Sequence, residues 1–208
     1  MNVAECFASI QDESTFAGLP CYFIRLAGCN LRCVYCDTPG AWAGGTEQGI
    51  PELAEAFRAS GLTLAEITGG EPLLQAGTPD LARALLAAGA APVLVETNGT
   101  CDIGVLPGGT VAVVDVKCPG SGAGASFNPV NLERLRPRDE VKFVLSDRAD
   151  FDWAAAFVRR HRLLARCGAV LFSPVRDRLP GRDLAAWVLE ARLPVRLQPQ
   201  LHRVLGVA

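Results

Sequence analysis

Cys21-Tyr-Phe-Ile-Arg-Leu-Ala-Gly-Cys-Asn-Leu-Arg-Cys-Val-Tyr-Cys-Asp37 begins as an apolar run and ends with three cysteines inside eight residues. Residues 21–27 read as a strand, and the loop that follows directly carries Cys29, Cys33 and Cys36. Three thiolates spaced x3 and x2 in one loop can each take one iron of a cubane, leaving the fourth iron without a protein ligand. An open iron is what a small chelating molecule needs. Structural zinc wants four ligands, and the two histidines, His161 and His202, are remote in sequence. Three reduced structural cysteines are the plain alternative.

Outward from this stretch, short apolar runs alternate with helical ones. Strands are expected at residues 21–27, 64–68, 92–97, 111–116, 140–145 and 169–173, with an additional N-terminal strand at 3–10 and a late one at 195–198. Helices are expected at 51–60, 79–88, 150–166 and 182–192. Pro51 and Pro79 stand where a first-turn proline is favourable, and Gly61 and Gly89 stand just past the ends. The pattern breaks between residues 97 and 111, where 13 residues with four glycines and a proline leave little room for a packed helix. Residues 117–139 hold at most a short helix near 130–135. Strands alternating with helices imply an α/β fold with a mostly parallel sheet. The incomplete helix set makes it a partial, open (β/α)6-type barrel, expected to form one domain over residues 1–208.

Composition narrows the class. Half of the 208 residues are apolar and the formal net charge is −2, an ordinary globular balance that argues against broad, non-specific nucleic-acid binding. No apolar run reaches the ~18 residues of a membrane span, and the N-terminus lacks the basic stretch of a signal peptide. A cytoplasmic protein is expected. In that setting the eight cysteines are not read as a disulfide framework, and Cys6, Cys21, Cys101, Cys118 and Cys167 are read as small apolar residues. Of the 20 basic residues only Lys117 and Lys142 are lysines, which points to positions where a compact ammonium is wanted. The group Arg159, Arg160, Arg162 and Arg166 reads as a solvated helix face.

The second motif, Thr68-Gly-Gly-Glu-Pro72, lies at the C-terminal end of the next strand. In a barrel of parallel strands that is the end where ligands gather, and glycines there let backbone approach a ligand closely. Cys-x3-Cys-x2-Cys followed by Gly-Gly-Glu-Pro resembles the radical S-adenosylmethionine (SAM) superfamily, and Tyr35 before the last cysteine matches the residue that lies near the adenine. The resemblance implies a [4Fe–4S] cluster and reductive cleavage of SAM to a 5′-deoxyadenosyl radical, with an electron donor such as flavodoxin or ferredoxin.

A narrower resemblance covers nearly the whole chain. Glu5-Cys-Phe-Ala-Ser-Ile-Gln11, the run from Phe23 to Thr38, Asp115-Val-Lys-Cys-Pro-Gly-Ser-Gly122, Glu140-Val-Lys-Phe-Val144 and the tail from Gln198 are similar to the 7-carboxy-7-deazaguanine synthase family. That family converts 6-carboxy-5,6,7,8-tetrahydropterin to 7-carboxy-7-deazaguanine with loss of ammonia, in the route to queuosine. The resemblance implies that Cys29, Cys33 and Cys36 hold the cluster and that Thr38 binds Mg²⁺. It implies that Tyr35, Cys36, Asp37, Gly70, Asp115, Val116, Lys117, Ser173, Pro174, Val175 and Arg176 line SAM. It places Ile10, Gln11, Asp12, Glu13, Arg25, Thr68, His202 and the carboxylate of Ala208 on the pterin, and implies a homodimer with no nucleic-acid or membrane partner. The physical chemistry agrees: Arg25 suits a substrate carboxylate, Gln11 and Glu13 suit an amino-oxo pyrimidine edge, and Mg²⁺ prefers oxygen.

One departure is visible. Gln11-Asp-Glu-Ser14 stands where the family has Gln-Gly-Glu-Gly. Asp tolerates positive φ better than Ser, so Asp12 is expected to keep the turn. Two alternative functions are a glycyl-radical activase, with the same cysteine spacing but a protein substrate, and a non-catalytic iron–sulfur or zinc module.

Overall fold

The computed structural model describes residues 1–206, with residues 202 and 203 described by backbone alone. Its elements run β1 (Asn2–Ile10), β2 (Pro20–Leu26), β3 (Thr46–Glu47), α1 (Ile50–Ser60), β4 (Leu64–Gly69), α2 (Thr78–Ala87), β5 (Val93–Thr97), β6 (Thr110–Asp115), α3 (Asn131–Arg134), β7 (Glu140–Leu145), α4 (Arg148–His161), β8 (Ala169–Pro174), α5 (Gly181–Ala191), β9 (Arg196–Leu197) and α6 (Leu201–Leu205). They form one nine-stranded sheet in the order β3-β1-β2-β4-β5-β6-β7-β8-β9. β1 pairs antiparallel with β2 and β3, and every pair from β2–β4 to β8–β9 is parallel. The sheet is open, as the sequence implies, and all six expected parallel strands are present.

A period of two sorts each strand between two environments. Ile24 and Leu26 of β2, Ala65 and Ile67 of β4, and Val93 and Val95 of β5 pack with Leu53 and Phe57 of α1 and Leu81 and Leu85 of α2 in the main core. Burying one such Leu, Ile or Phe side chain contributes about 1.5–3 kcal/mol. The alternate residues face inward. Cys21, Phe23, Leu64, Leu94 and Val111 form a small apolar plug at the N-terminal side, with Phe7 and Phe16 against it. Further along these strands, and on β7 beside them, the inward positions turn polar: Arg25, Thr68, Glu96, Asp115 and Lys142. The fold therefore delivers charge to the carboxyl end of the sheet.

Helix ends follow local chemistry. α1 carries Pro51 in its first turn and stops at Gly61, φ 68°. α4 starts two residues before the expected 150–166 helix because Asp147 accepts from the Asp150 N–H. It also stops early: Arg162 turns left-handed at φ 52°, and a 3-10 turn at Leu163–Ala165 drives Leu163 into the core. β3 and α6 are not apparent in the sequence, and β9 is shorter than expected.

Where helices are missing, buried side chains bind the connections instead. Between β5 and β6 there is only a 3-10 turn, Ile103–Val105. Asn131 donates to Gly99 O and Cys101 O, each at 2.9 Å, and accepts from the Ile103 N–H at 3.0 Å. Asp139 accepts from the Ala112 N–H at 2.9 Å and from Arg136 Nε and Nη2 at 2.9 and 2.8 Å. Among the described residues no helix is long and apolar enough to cross a membrane.

Asp139 is wholly buried, so its loss strands an interior N–H and an arginine. Asp139→Ala is expected to lower the unfolding free energy by about 3 kcal/mol, read as a lower urea midpoint. A midpoint shift under about 1 kcal/mol would show that neighbouring groups replace it.

Candidate active site

The carboxyl ends of β2, β4, β5, β6 and β7 surround a cavity of ≈ 690 Å³. Cys29, Cys33 and Cys36 line one wall, all as free thiols. Their loop is held from several sides. Gly28 N–H donates to Ala41 O at 2.8 Å, and Val34 N–H to Ser121 O at 3.0 Å. The Arg32 guanidinium donates to Cys29 O at 2.8 Å and to Leu31 O at 2.7 Å, and lies 4.9 Å over the Trp42 ring.

The Gly-Gly pair is required where that loop meets β4. Gly69 has φ 141°, and a Cβ there would lie 2.1 Å from Leu26 O. A Cβ on Gly70 would lie 2.2 Å from Gly28 O and 2.7 Å from Cys29 Cβ. No side chain fits, so the second motif and the cysteine loop touch backbone to backbone. Among the described residues no three His, Cys, Asp or Glu groups converge on a single ion.

The floor is ionic. Lys142 Nζ donates to Glu13 Oε2 and to Glu96 Oε1, and lies 3.7 Å from Asp115 Oδ2. Lys117 Nζ bonds the same Asp115 oxygen at 2.7 Å. Thr68 Oγ donates to Glu96 at 3.2 Å, and Gln11 Nε2 donates to Glu66. Burial alone would raise the Glu96 carboxyl, but the Lys142 ammonium and its hydrogen bond, with Lys117 and Arg25, outweigh it and hold it at about 2. Burial dominates at Glu13, against the pull of Lys142, and pushes it up to about 7. Glu66 is also raised, by burial and then by Glu96 and Asp12. The floor thus combines one carboxylate that stays charged with two that hold protons readily.

Residues 11–19 join β1 to β2 at the amino end of the sheet and support this floor from beneath. Gln11 reaches Glu66 on β4, Glu13 reaches Lys142 on β7, and Thr15 N–H donates to Glu140 of β7 at 3.0 Å. The turn is kept by Ser14, not by Asp12 as the sequence implies. Ser14 has φ 66° and Asp12 has no positive φ. The Ser14 hydroxyl accepts from the Phe16 N–H at 3.1 Å, a local bond that favours this tight turn.

Most positions singled out in the sequence meet at this cavity. Tyr35, Asp37, Thr38, Gly70, Asp115, Lys117, Pro174, Val175 and Arg176 line it, as do Gln11, Asp12, Glu13, Arg25 and Thr68. Three do not. Ile10 ends β1 outside the lining, Val116 is buried on the helix side, and Ser173 is buried with its hydroxyl unpartnered. Ala208 and the His202 side chain lie outside the described residues. Arg25 is not wholly free for a ligand, because its Nε donates to Glu5 at 2.7 Å. Glu66, Glu96, Thr97, Asn98 and Gln200 also line the cavity and are missed by sequence reading. Of this group, Glu66 and Glu96 carried the signal of inward parity on their strands. Gln200 lies 3.2 Å from Glu13 Oε1 and 3.4 Å from Asp37 Oδ2.

Residues 23–107 match the family model described as the Radical SAM superfamily. A 7-carboxy-7-deazaguanine synthase of Koribacter versatilis (strain Ellin345) is 43% identical over 99% of this chain and 96% of its own length. The chain belongs to the 7-carboxy-7-deazaguanine synthase family. A synthase of the same description from Chlorobaculum tepidum is 42% identical over 99% of this chain and 94% of its own. The crystal structure of QueE from Escherichia coli superimposes with a TM-score of 0.75 at 24% identity, over 96% of this chain and 93% of that one, and shows the shared fold. Membership makes the chain a radical SAM enzyme, with the [4Fe–4S] cluster and SAM of that superfamily. The three-thiol loop, the side-chain-free contact at Gly70 and the cavity beside them fit those groups.

Glu13 gives a pH test. Its folded value of about 7 lies above that of a free carboxyl, so between the two the native state binds more protons than the unfolded state. Stability contributed by this site therefore declines as pH rises across that window. Glu13→Gln should flatten the fall in unfolding free energy between roughly pH 5 and 8. Parallel curves for the two proteins would place the Glu13 titration elsewhere.

Proposed function

We propose that this chain converts 6-carboxy-5,6,7,8-tetrahydropterin to 7-carboxy-7-deazaguanine with loss of ammonia, a step toward queuosine. The observation that carries the reading is one cavity that joins a three-cysteine loop to a buried, paired set of carboxylates and ammoniums, in a chain of this family. When bound at Cys29, Cys33 and Cys36, the cluster and SAM supply a 5′-deoxyadenosyl radical. The protein's part is to bind, orient and exclude water.

Tyr35, Asp37, Gly70, Asp115, Lys117 and the segment Pro174 to Arg176 are assigned to SAM. Val116 and Ser173 would contribute backbone only. Arg25 is assigned to the substrate carboxylate through its outer nitrogens while Glu5 holds Nε. Gln11, Glu13 and Thr68 are assigned to the pyrimidine edge, with Asp12, Ile10, His202 and the Ala208 carboxylate completing the pterin contacts. Thr38, whose hydroxyl lies 3.3 Å from Asp37 Oδ1, is assigned to Mg²⁺, with substrate oxygens and water filling the shell. The reading extends to a single-domain, cytoplasmic homodimer that takes electrons from a flavodoxin or ferredoxin and binds no nucleic acid. The continuous sheet and near-neutral charge support it. Family membership disfavours the glycyl-radical activase and the non-catalytic module.

Anaerobically reconstituted protein is expected to turn over 6-carboxytetrahydropterin, and Cys33→Ala to release no 5′-deoxyadenosine while remaining folded by circular dichroism. SAM cleavage without pterin conversion would overturn the substrate. Mg²⁺ should raise turnover without changing iron content, and Thr38→Val, which keeps shape but loses the oxygen, should blunt that response. An unchanged Mg²⁺ response would remove Thr38 from the ion.

A further inference from the structure

We infer that Asn98 donates a hydrogen bond to the Cys29 thiolate and thereby raises the reduction potential of the cluster. The inference rests on the reading that Cys29, Cys33 and Cys36 hold that cluster. Asn98 directly follows β5, is 7% exposed and lines the cavity beside the cysteine loop.

Its carboxamide has one possible orientation. Asn98 Oδ1 accepts from the Thr100 N–H at 3.1 Å and from the Thr100 hydroxyl at 2.7 Å. A backbone N–H can only donate, so the oxygen must sit on that side. The amide nitrogen is left facing the loop, 4.0 Å from Cys29 Sγ and 3.0 Å from Asn30 Oδ1. Asn30 is fixed in turn, because its own Nδ2 donates to the Thr100 hydroxyl at 2.9 Å. Three side chains thus form a closed ring, and the one N–H pair it turns outward is split between Asn30 and the thiol.

The backbone beneath is fixed as firmly. Glu71, 0% exposed, accepts from the Asn98 N–H at 2.6 Å, the Leu73 N–H at 2.9 Å and the Thr97 hydroxyl at 2.8 Å. Its own N–H donates to Gly28 O at 2.8 Å. The glutamate of the Gly-Gly-Glu-Pro turn therefore does not face the cavity. It ties the end of β5 to the start of the cysteine loop and presents Asn98 to Cys29.

The direction of the effect follows from charge. One-electron reduction by the external donor adds negative charge to the cluster and its thiolates. A donor on a ligand sulfur stabilises that reduced form more than the oxidised one. The Leu31 N–H, 3.4 Å from Cys29 Sγ, acts the same way but belongs to the backbone. Asn98 is the donor that substitution can remove.

The test is an EPR-monitored redox titration of reconstituted holoenzyme, with iron content measured on each sample. Asn98→Ala should keep the parent iron content and shift the midpoint to a more negative value. Asn98→Asp, which replaces the donor by a charge, should shift it further. Thr100→Val removes the hydroxyl that bonds both Asn98 Oδ1 and Asn30 Nδ2, leaving only the Thr100 N–H to orient the carboxamide, and should give a smaller shift of the same sign. If the Asn98 variants fail to load, Thr100→Val decides. A loaded variant with the parent midpoint overturns the inference. Failure of the underlying reading looks different: the parent itself then takes up no cluster, or keeps one after Cys29→Ala.

Discussion

The constraint on which the site depends is a lysine held out of water by carboxylates. Lys142 is almost fully buried, and its ammonium is tolerable there only because Glu13, Glu96 and Asp115 surround it. Each partner comes from a different part of the chain: the β1–β2 connection, β5 and β6. The pairing therefore fixes three segments at once across the inner face of an open sheet. Removing one member of such a group costs about 3–5 kcal/mol, because the others stay buried without their counter-charge.

An open sheet has an inner face that a closed barrel would fill with its own side chains. Here the segment of residues 11–19 takes that role at the amino end of the sheet. Phe16 enters the apolar plug while Gln11, Glu13 and Thr15 bond to strands on opposite sides of the opening. Ser14 makes the turn possible at positive φ, where a residue with a Cβ costs roughly 1–2 kcal/mol relative to glycine. Its hydroxyl bond to Phe16 offsets part of this. The departure from the family's glycines is thus accommodated at Ser14, while Asp12 lines the cavity.

Much of the architecture was legible in the sequence because both signals are local. The six parallel strands are short apolar runs, and the cysteine loop is contiguous, so neither required knowledge of distant partners. The break of α4 at Arg162 was not legible: its sequence continues as a good helix, and only the pull of Leu163 into the core ends it. Glu66 and Glu96 were missed for a related reason. A single glutamate in a strand looks solvated until the register shows that its neighbours on both sides also point inward. Lys142 was half visible, as one of two lysines in an arginine-rich chain, although the need for it came from carboxylates far along the chain. The two ends of the pterin reading differ in the same way. Gln11 and Glu13 meet the cavity, while Ile10 lies one step outside it because strand parity turns it away.

Both margins of the sheet end in two-residue strands, β3 and β9. An exposed strand edge is an unfinished hydrogen-bond ladder, open to any other extended chain. β3 pairs only with Asn2 and Val3 of the nine-residue β1, and β9 only with Leu171 and Phe172 of β8. Among the described residues no strand lies outside β1 beyond Val3. The longer open margin is therefore β1, and it is there that a second extended chain finds backbone groups to pair with.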